Sequence, residues 1–266
     1  MYEFVYDTLT PEQREAYLER IHYTGSGELT KETLDTLVYL HQCHVPFEDL
    51  DIFERLSPVR LDAQSLYNKV VTHHRGGFCF ELNGAFLLLL RAMGFDAYSC
   101  MARVAANRTV LGDLTHRATV VRLGGKAYVC DVGLGGPMAP FAVEISPERQ
   151  SAFGETHWVE PIQEGWWLQK RLDEHGQAAG VIVFAPVALL FKDFEPFCQA
   201  LINRPDSSFR SHRIVNLRTA TGHCNLRDDV LTIRDNGNKQ EILVTPEEFP
   251  SILETYFGLN YREIYQ

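Results

Sequence analysis

The hydrophobic pattern of this chain changes its period at Gly94. Before that point apolar residues recur at helical spacing. Thr10-Pro11-Glu12 opens "PEQREAYLERI", with threonine as cap and proline at the first helical position, and a second helix from about Thr30 carries Leu34, Leu37, Val38 and Leu40. A third helical run, "ELNGAFLLLLRAMGF", ends near Gly94. Beyond it come short segments rich in Val, Tyr and Thr, divided by glycines: "AYSCMARVAA", "RATVVRL", "KAYVCDVGL", "HWVEPIQ", "GWWLQKRL" and "GVIVFAPV". Helices first and adjacent strands afterwards make an α+β chain whose middle region is an antiparallel sheet or barrel. After Phe194 a helical piece, "FEPFCQALIN", precedes strands "SHRIVNLRT", "VLTIRD" and "QEILVT" and a final helix expected from Thr245-Pro246-Glu247-Glu248 to about Phe257. No internal repeat or long linker interrupts the pattern.

A chain of 266 residues, 45% hydrophobic, can bury a substantial core. No segment approaches the roughly 20 apolar residues of a membrane helix, and the N-terminus lacks the basic-then-apolar order of a signal peptide, so a cytoplasmic protein is expected, with no membrane partner. The formal net charge of -10 disfavours a grip on nucleic acid, which needs a concentrated basic surface. A small-molecule substrate is the better expectation. The six cysteines are scattered without a C-x-x-C pair, and in that compartment they read as free thiols, neither a disulfide framework nor a zinc site.

One thiol stands apart. In "RGGFCFELN" Cys79 follows a glycine turn and begins the apolar helix, where unpaired N–H groups and the positive end of the helix dipole favour the thiolate, the nucleophilic form. A cysteine between phenylalanines is ordinarily inert core, so its reactivity depends on a base within reach. The segment "LTHRATVVRLGGKAYVCDVGLGG" supplies one. Gly124-Gly125 is a two-residue hairpin signal, and the register it sets places His116 opposite Gly133 and diagonal to Asp131, on the same side of the sheet. The carboxylate can hold one ring nitrogen and leave the other for a thiol. A strand histidine and a surface aspartate are the plain alternative.

At these residues the chain resembles the arylamine N-acetyltransferase family. "HVPFEDLDIF" is similar to its P-F-E-N-L segment, "RGGFCFELNGAF" to its R-G-G-x-C-x-E nucleophile motif, "THR" to its histidine motif and "CDVGLGGP" to its D-V-G-F-G loop, with Asp49 and Leu134 as departures. Leu134 bears on the acceptor pocket. The resemblance implies a helical bundle over residues 1–94 carrying the nucleophile, a central antiparallel β-barrel over 95–193 carrying histidine and aspartate, and an α/β lid over 194–266, with the triad arranged as in a cysteine protease. It makes Cys79 the acetyl-accepting nucleophile, His116 its base and Asp131 the orienting acid. It pairs Arg75 with Glu48 as structural support for the turn. Phe47, Phe78 and Phe80 are core residues by composition, and the resemblance favours Phe47 and Phe80 as walls of the substrate pocket. Gly133, Gly135 and Gly136 either shape a loop or admit a pantetheine chain; with Thr115 and Phe209 they resemble the family's coenzyme A cleft. Trp166-Trp167 read as sheet packing and Arg204, Arg210 and Arg213 as solvated surface, although an arginine could meet the coenzyme's phosphates.

The function so implied is a ping-pong acyl transferase. Acetyl-CoA donates to Cys79, free coenzyme A leaves, and an arylamine or arylhydrazine takes the acetyl group, with no metal required. Three rivals share parts of this pattern: an amide synthase of the same family acting on a carrier-bound acyl chain, a Cys-His-Asp hydrolase, and a binding protein that keeps the pocket without the chemistry.

Overall fold

A computed structural model describes residues 5–106, 110–136 and 138–265, so residues 1–4 of the N-terminal segment, Pro137 of the glycine-loop motif and Gln266 of the lid lie outside the described residues. The N-terminal helices form where their caps predict. Helix α1 (Pro11–Arg20) is closed by a capping box between Thr10 and Gln13, and α2 (Lys31–His44) by the Thr30 hydroxyl, which accepts the Thr33 N–H at 3.1 Å. A two-residue strand β1 (Phe47–Glu48), short helices α3 (Leu50–Phe53) and α4 (Ala63–Tyr67) and a π-helical turn (Asn68–Thr72) lead to α5 (Cys79–Ala92). Every residue of α5 from Cys79 to Leu90 is buried, so this helix is the axis of the bundle core.

Eight antiparallel strands follow: β2 (Asp96–Val104), β3 (His116–Leu123), β4 (Lys126–Cys130), β5 (Val143–Glu144), β6 (Gln150–Ala152), β7 (Glu155–Gln163), β8 (Trp166–Leu172) and β9 (Ala178–Phe184). They lie in the order β5-β4-β3-β2-β9-β8-β7-β6, and the Val159 N–H donates to the Ser146 carbonyl at 2.9 Å, drawing the ends of the sheet together into a nearly closed barrel. The β3–β4 hairpin turns on Gly124 and Gly125, both at positive φ, and pairs Leu123 with Lys126 and Thr119 with Cys130, the register that the glycine pair predicts. Trp166 and Trp167 sit in β8, Trp167 against the barrel core and Trp166 beneath the Arg103 guanidinium.

Past the barrel, Phe191 and Phe194 and the inner face of α6 (Glu195–Asn203) join the bundle core through Cys198 and Leu201. A one-turn helix α7 (Ser208–Ser211) precedes a meander of β10 (Ile214–Thr219), β11 (Gly222–Arg227), β12 (Val230–Asp235) and β13 (Asn238–Leu243), covered by α8 (Phe249–Phe257) and α9 (Tyr261–Tyr265). β1 adds to the edge of this meander, Phe47 opposite Asn216, so the segment before the nucleophile belongs to both the bundle and the second sheet. Helix α9 follows where the sequence predicts no further helix, and α8 begins at Phe249, later than the sequence predicts. Thr245 to Glu248 form its capping turn instead, the Thr245 N–H and hydroxyl both donating to Glu248 Oε2 at 3.0 Å.

Candidate active site

The glycine pair before Cys79 is explained by crowding. A Cβ at Gly76 would run into the Pro46 carbonyl, and one at Gly77 would lie 2.7 Å from Glu81 Oε2. Without side chains the turn can lie beside β1, the Glu48 N–H donating to the Gly77 carbonyl at 2.9 Å. Phe78 is then extended, and its N–H donates to Glu81 Oε2 at 3.1 Å, starting α5 with Cys79 as its first residue. The glutamate of the nucleophile motif is thus a helix cap. Lys69, in the π-helical turn, holds it from below: its ammonium meets Glu81 at 2.8 Å and Asp51 at 2.7 Å. Arg75 meets Glu48 at 2.8 Å and Asp51 at 3.2 Å, and Glu48 Oε2 accepts the Leu50 N–H at 2.9 Å. A fully buried carboxylate such as Glu48 survives only when paired this thoroughly.

His116 opens β3 and Asp131 follows the last residue of β4, which brings them together across the hairpin. His116 Nε2 donates to Asp131 Oδ2 at 2.6 Å, and Cys79 acts electrostatically on the ring. Cys79 Sγ lies 3.6 Å from the Thr115 carbonyl. All three groups are buried. Burial by itself would lower the His116 pKa; the Asp131 charge and hydrogen bond, with lesser help from Cys79, outweigh it and raise the ring to about 10. Burial would likewise raise Asp131, but His116, the Asn83 amide and the Gly133 N–H hold it below the usual carboxylate range. Both shifts favour the same state, carboxylate beside imidazolium.

Two residues that the motifs left without a role complete this arrangement. Asn83, one turn after Cys79 on α5, donates to Asp131 Oδ1 at 2.9 Å and to the Arg117 carbonyl at 2.6 Å, and accepts the Val132 N–H at 3.1 Å. The i, i+4 spacing from Cys79 is the signal that could have found it. Gln42 of α2 donates to the backbone carbonyls of Asp131 and Ala139, at 3.0 and 2.7 Å, and accepts from Arg218 Nε of β10 at 2.8 Å. No local pattern marks that residue.

The sequence-named glycines differ in setting. A Cβ on Gly133 would stand 2.9 Å from Cys79 Cα and 2.7 Å from the Asn83 amide nitrogen, and Gly135, at φ +68°, faces the Phe47 ring; a Cβ at Gly136 would meet open space. A cleft of about 570 Å³ between barrel and second sheet is walled by Phe47, Val132, Gly135, Gly136 and Met138 on its inner side and by Arg171, His223 and Arg234 farther out. Phe80 lies away from it, fully buried against Phe78 and Phe194. Phe209, half-buried on α7, packs on Phe47 and edge-on to Phe78. Thr115 contributes its carbonyl to the sulfur and is half-buried. The three surface arginines are engaged: Arg204 with Asp113 and Asp206, Arg210 with the Asn203 carbonyl, and Arg213 with Glu54. Among the described residues no group of three or more His, Cys, Asp or Glu side chains is placed to hold a metal ion, and no helix is long and apolar enough to cross a membrane.

A thiol, an imidazole and a buried carboxylate, none of which lines the cleft although Val132 and Gly135 of the adjoining glycine loop do, are equipped for acyl transfer. Comparison with known proteins agrees. The N-acetyltransferase family model matches residues 30–264. The chain is 38% identical over 170 residues to the arylamine N-acetyltransferase / N-hydroxyarylamine O-acetyltransferase of Salmonella typhimurium, a match spanning 61% of this chain and 58% of that relative. It is 28% identical to the arylamine N-acetyltransferase of Mycobacterium tuberculosis over 94% of this chain and 90% of that one. The solved structure of the Salmonella typhimurium arylamine N-acetyltransferase superposes with a TM-score of 0.87 at 26% identity, covering 94% and 92% of the two chains. By motif, fold and match length, this chain belongs to the arylamine N-acetyltransferase family.

Proposed function

We propose that the protein transfers an acetyl group from acetyl-CoA to the nitrogen of an arylamine or arylhydrazine, in two halves joined by an acetyl-Cys79 enzyme. The observation that carries this reading is the 2.6 Å His116–Asp131 hydrogen bond, with Cys79 at a helix N-terminus and its sulfur 3.6 Å from the carbonyl of Thr115, the residue before His116. In the first half the Cys79 sulfur attacks the thioester carbonyl carbon, N–H groups of the first turn of α5 face the developing oxyanion, and the C–S bond to coenzyme A breaks as its sulfur takes the proton from His116. In the second half the amine attacks the acetyl carbon, His116, now neutral, accepts the amine proton, and the Cys79 thiolate departs. Asp131 stays ionised throughout and keeps the ring oriented.

The cleft supports the choice of substrates. Its inner wall of Phe47, Val132 and Met138 suits a flat aromatic ring, and Arg171, Arg234 and His223, which share the outer rim with Glu155, Asp173 and Glu174, are the cations a coenzyme's phosphates would meet. The three-part division and the coenzyme contacts of Thr115, Gly133, Gly135 and Phe209 belong to this same reading.

Incubation with acetyl-CoA alone should release coenzyme A in a burst and add one acetyl group to the peptide containing Cys79, absent in Cys79→Ala. With an arylamine panel, double-reciprocal plots should be parallel. Converging lines without an acetylated cysteine would overturn the mechanism. Steady coenzyme A release without amine would mark a hydrolase, and turnover only with carrier-bound acyl chains an amide synthase.

A further inference from the structure

Arg218 of β10 belongs to no motif, yet its guanidinium reaches three parts of the molecule. Nε donates to Gln42 Oε1 of α2 at 2.8 Å, Nη1 to Glu155 Oε1 at the start of β7 at 2.7 Å, and Nη2 to the Met138 carbonyl of the glycine loop at 3.0 Å. All three partners line the cleft, as does Arg218 itself. The fork leaves the Gln42 amide one orientation. A guanidinium can only donate, so it takes the amide oxygen, and both N–H bonds of the amide are left for backbone carbonyls, which can only accept. They go to Asp131 at 3.0 Å and to Ala139 at 2.7 Å, the two ends of the loop. Glu155 is fixed in turn by the buried His157, whose Nε2 donates to Glu155 Oε2 at 3.0 Å.

The loop between those ends supplies Val132, Gly135, Gly136 and Met138 to the inner wall of the cleft, and the Gly133 N–H to Asp131 Oδ1 at 2.9 Å. None of its described residues belongs to a strand or helix, so no ladder holds it in shape. The Leu134 N–H donates to Met138 Sδ at 3.4 Å, and a thioether is a weak acceptor. Hydrogen bonds from a guanidinium are roughly twice as strong as neutral ones. We propose that Arg218 is a positioning residue for this loop: by taking the Gln42 oxygen and the Met138 carbonyl it clamps the wall of the cleft against α2, and the second sheet thereby sets the shape in which substrate is bound. This rests on the reading of the cleft as the substrate site. Arg218 would serve the reaction through Gln42 and the loop, without touching Cys79, His116 or the Asp131 carboxylate.

The test is a double-mutant cycle of R218M and Q42M, in which methionine keeps an apolar stem and removes the polar head. Each single variant should raise the KM for acetyl-CoA roughly tenfold while kcat stays within about threefold, because substrate and transition state lose the same wall and the His116–Asp131 pair keeps its own bonds. The double variant should do no worse than the worse single one, since both remove one clamp. Losses that multiply would overturn the proposal, because Arg218 would then act without Gln42. A lowered thermal transition with KM unmoved would also refute it, as the mark of a brace that serves the fold alone. Amide hydrogen exchange, read by mass on the peptide covering Asp131 to Ala139, needs no acetyl-CoA. It should be faster in R218M and in Q42M, and a wild-type rate in folded R218M refutes the clamp. If R218M does not fold, Q42E decides: the carboxylate keeps the bond to Arg218 but has no N–H for the two carbonyls. Its loop should exchange as fast as that of Q42M, and wild-type exchange would overturn the role. Faster loop exchange in a protein that never becomes acetylated would sink acetyl transfer and leave the clamp standing.

Discussion

Asn83 Nδ2 lies 2.9 Å from Asp131 Oδ1, so the helix that begins with the nucleophile also grips the acid that orients the base. One rigid element thereby sets two corners of the triad. Asn83→Ala should leave Asp131 Oδ1 with the Gly133 N–H alone and strip a partner from the Val132 N–H. Leaving buried polar groups unpaired costs about 1–3 kcal/mol each, so we expect acetyl transfer to fall on the order of 10- to 100-fold in a folded but less stable protein. Wild-type turnover with unchanged stability would show that Asp131 needs no such support.

Asp131→Asn removes the charge that keeps His116 protonated. Burial then governs the ring and pulls its pKa down, and the rate should drop roughly 10⁴-fold, as analogous triad changes do. The same variant reads the linkage. A histidine raised from 6.5 to about 10 contributes its stability in full below pH 6.5 and loses it as pH climbs through about 10. The thermal-stability gap between wild type and D131N should therefore narrow from pH 6.5 to 10. A gap that widens over this range contradicts the assignment.

The five other thiols serve as internal controls. Burial pushes Cys43, Cys100, Cys130, Cys198 and Cys224 above the ordinary thiol range, Cys100 to about 12. Brief iodoacetamide treatment at neutral pH should label Cys79 alone and abolish activity in step with labelling. Labelling of Cys43 with activity intact would displace Cys79 as the reactive sulfur.

Asp49 stands where the family motif carries asparagine, and it behaves as a neutral stand-in. Its Oδ1 accepts the Ile214 N–H of β10 at 2.8 Å, and Oδ2 is buried without a partner. Burial, then the neighbouring Glu48 charge, raise its pKa to about 8 against the opposing pull of the Ile214 N–H and Arg213. For a carboxyl raised in the folded state, stability falls as pH rises from the unfolded value near 3.8 and stops falling above about 8. Asp49→Asn keeps the acceptor without the titration, so its stability advantage over wild type should grow between pH 5 and 8 and level off above. A difference independent of pH would count against a buried, proton-holding Asp49.

What the sequence determined by itself is whatever near neighbours in the chain decide. The caps at Thr10 and Thr30, the start of α5 at Cys79 and the β3–β4 register follow from side chains within a few residues of the backbone groups they satisfy. That register was enough to set His116 beside Asp131, because a two-residue turn and a period-two strand leave one alignment. Tertiary packing decided the rest. The contact of Cys79 with the Thr115 carbonyl, the grip of Asn83 and Gln42 on the glycine loop, and the addition of β1 to the second sheet join segments far apart in sequence. Alternation along β3 marks Arg117 as the neighbour of a buried histidine. Its own burial depends on Phe191, Phe194 and the gap at Gly84, which local periodicity does not encode, because burial is a property of what packs against a strand.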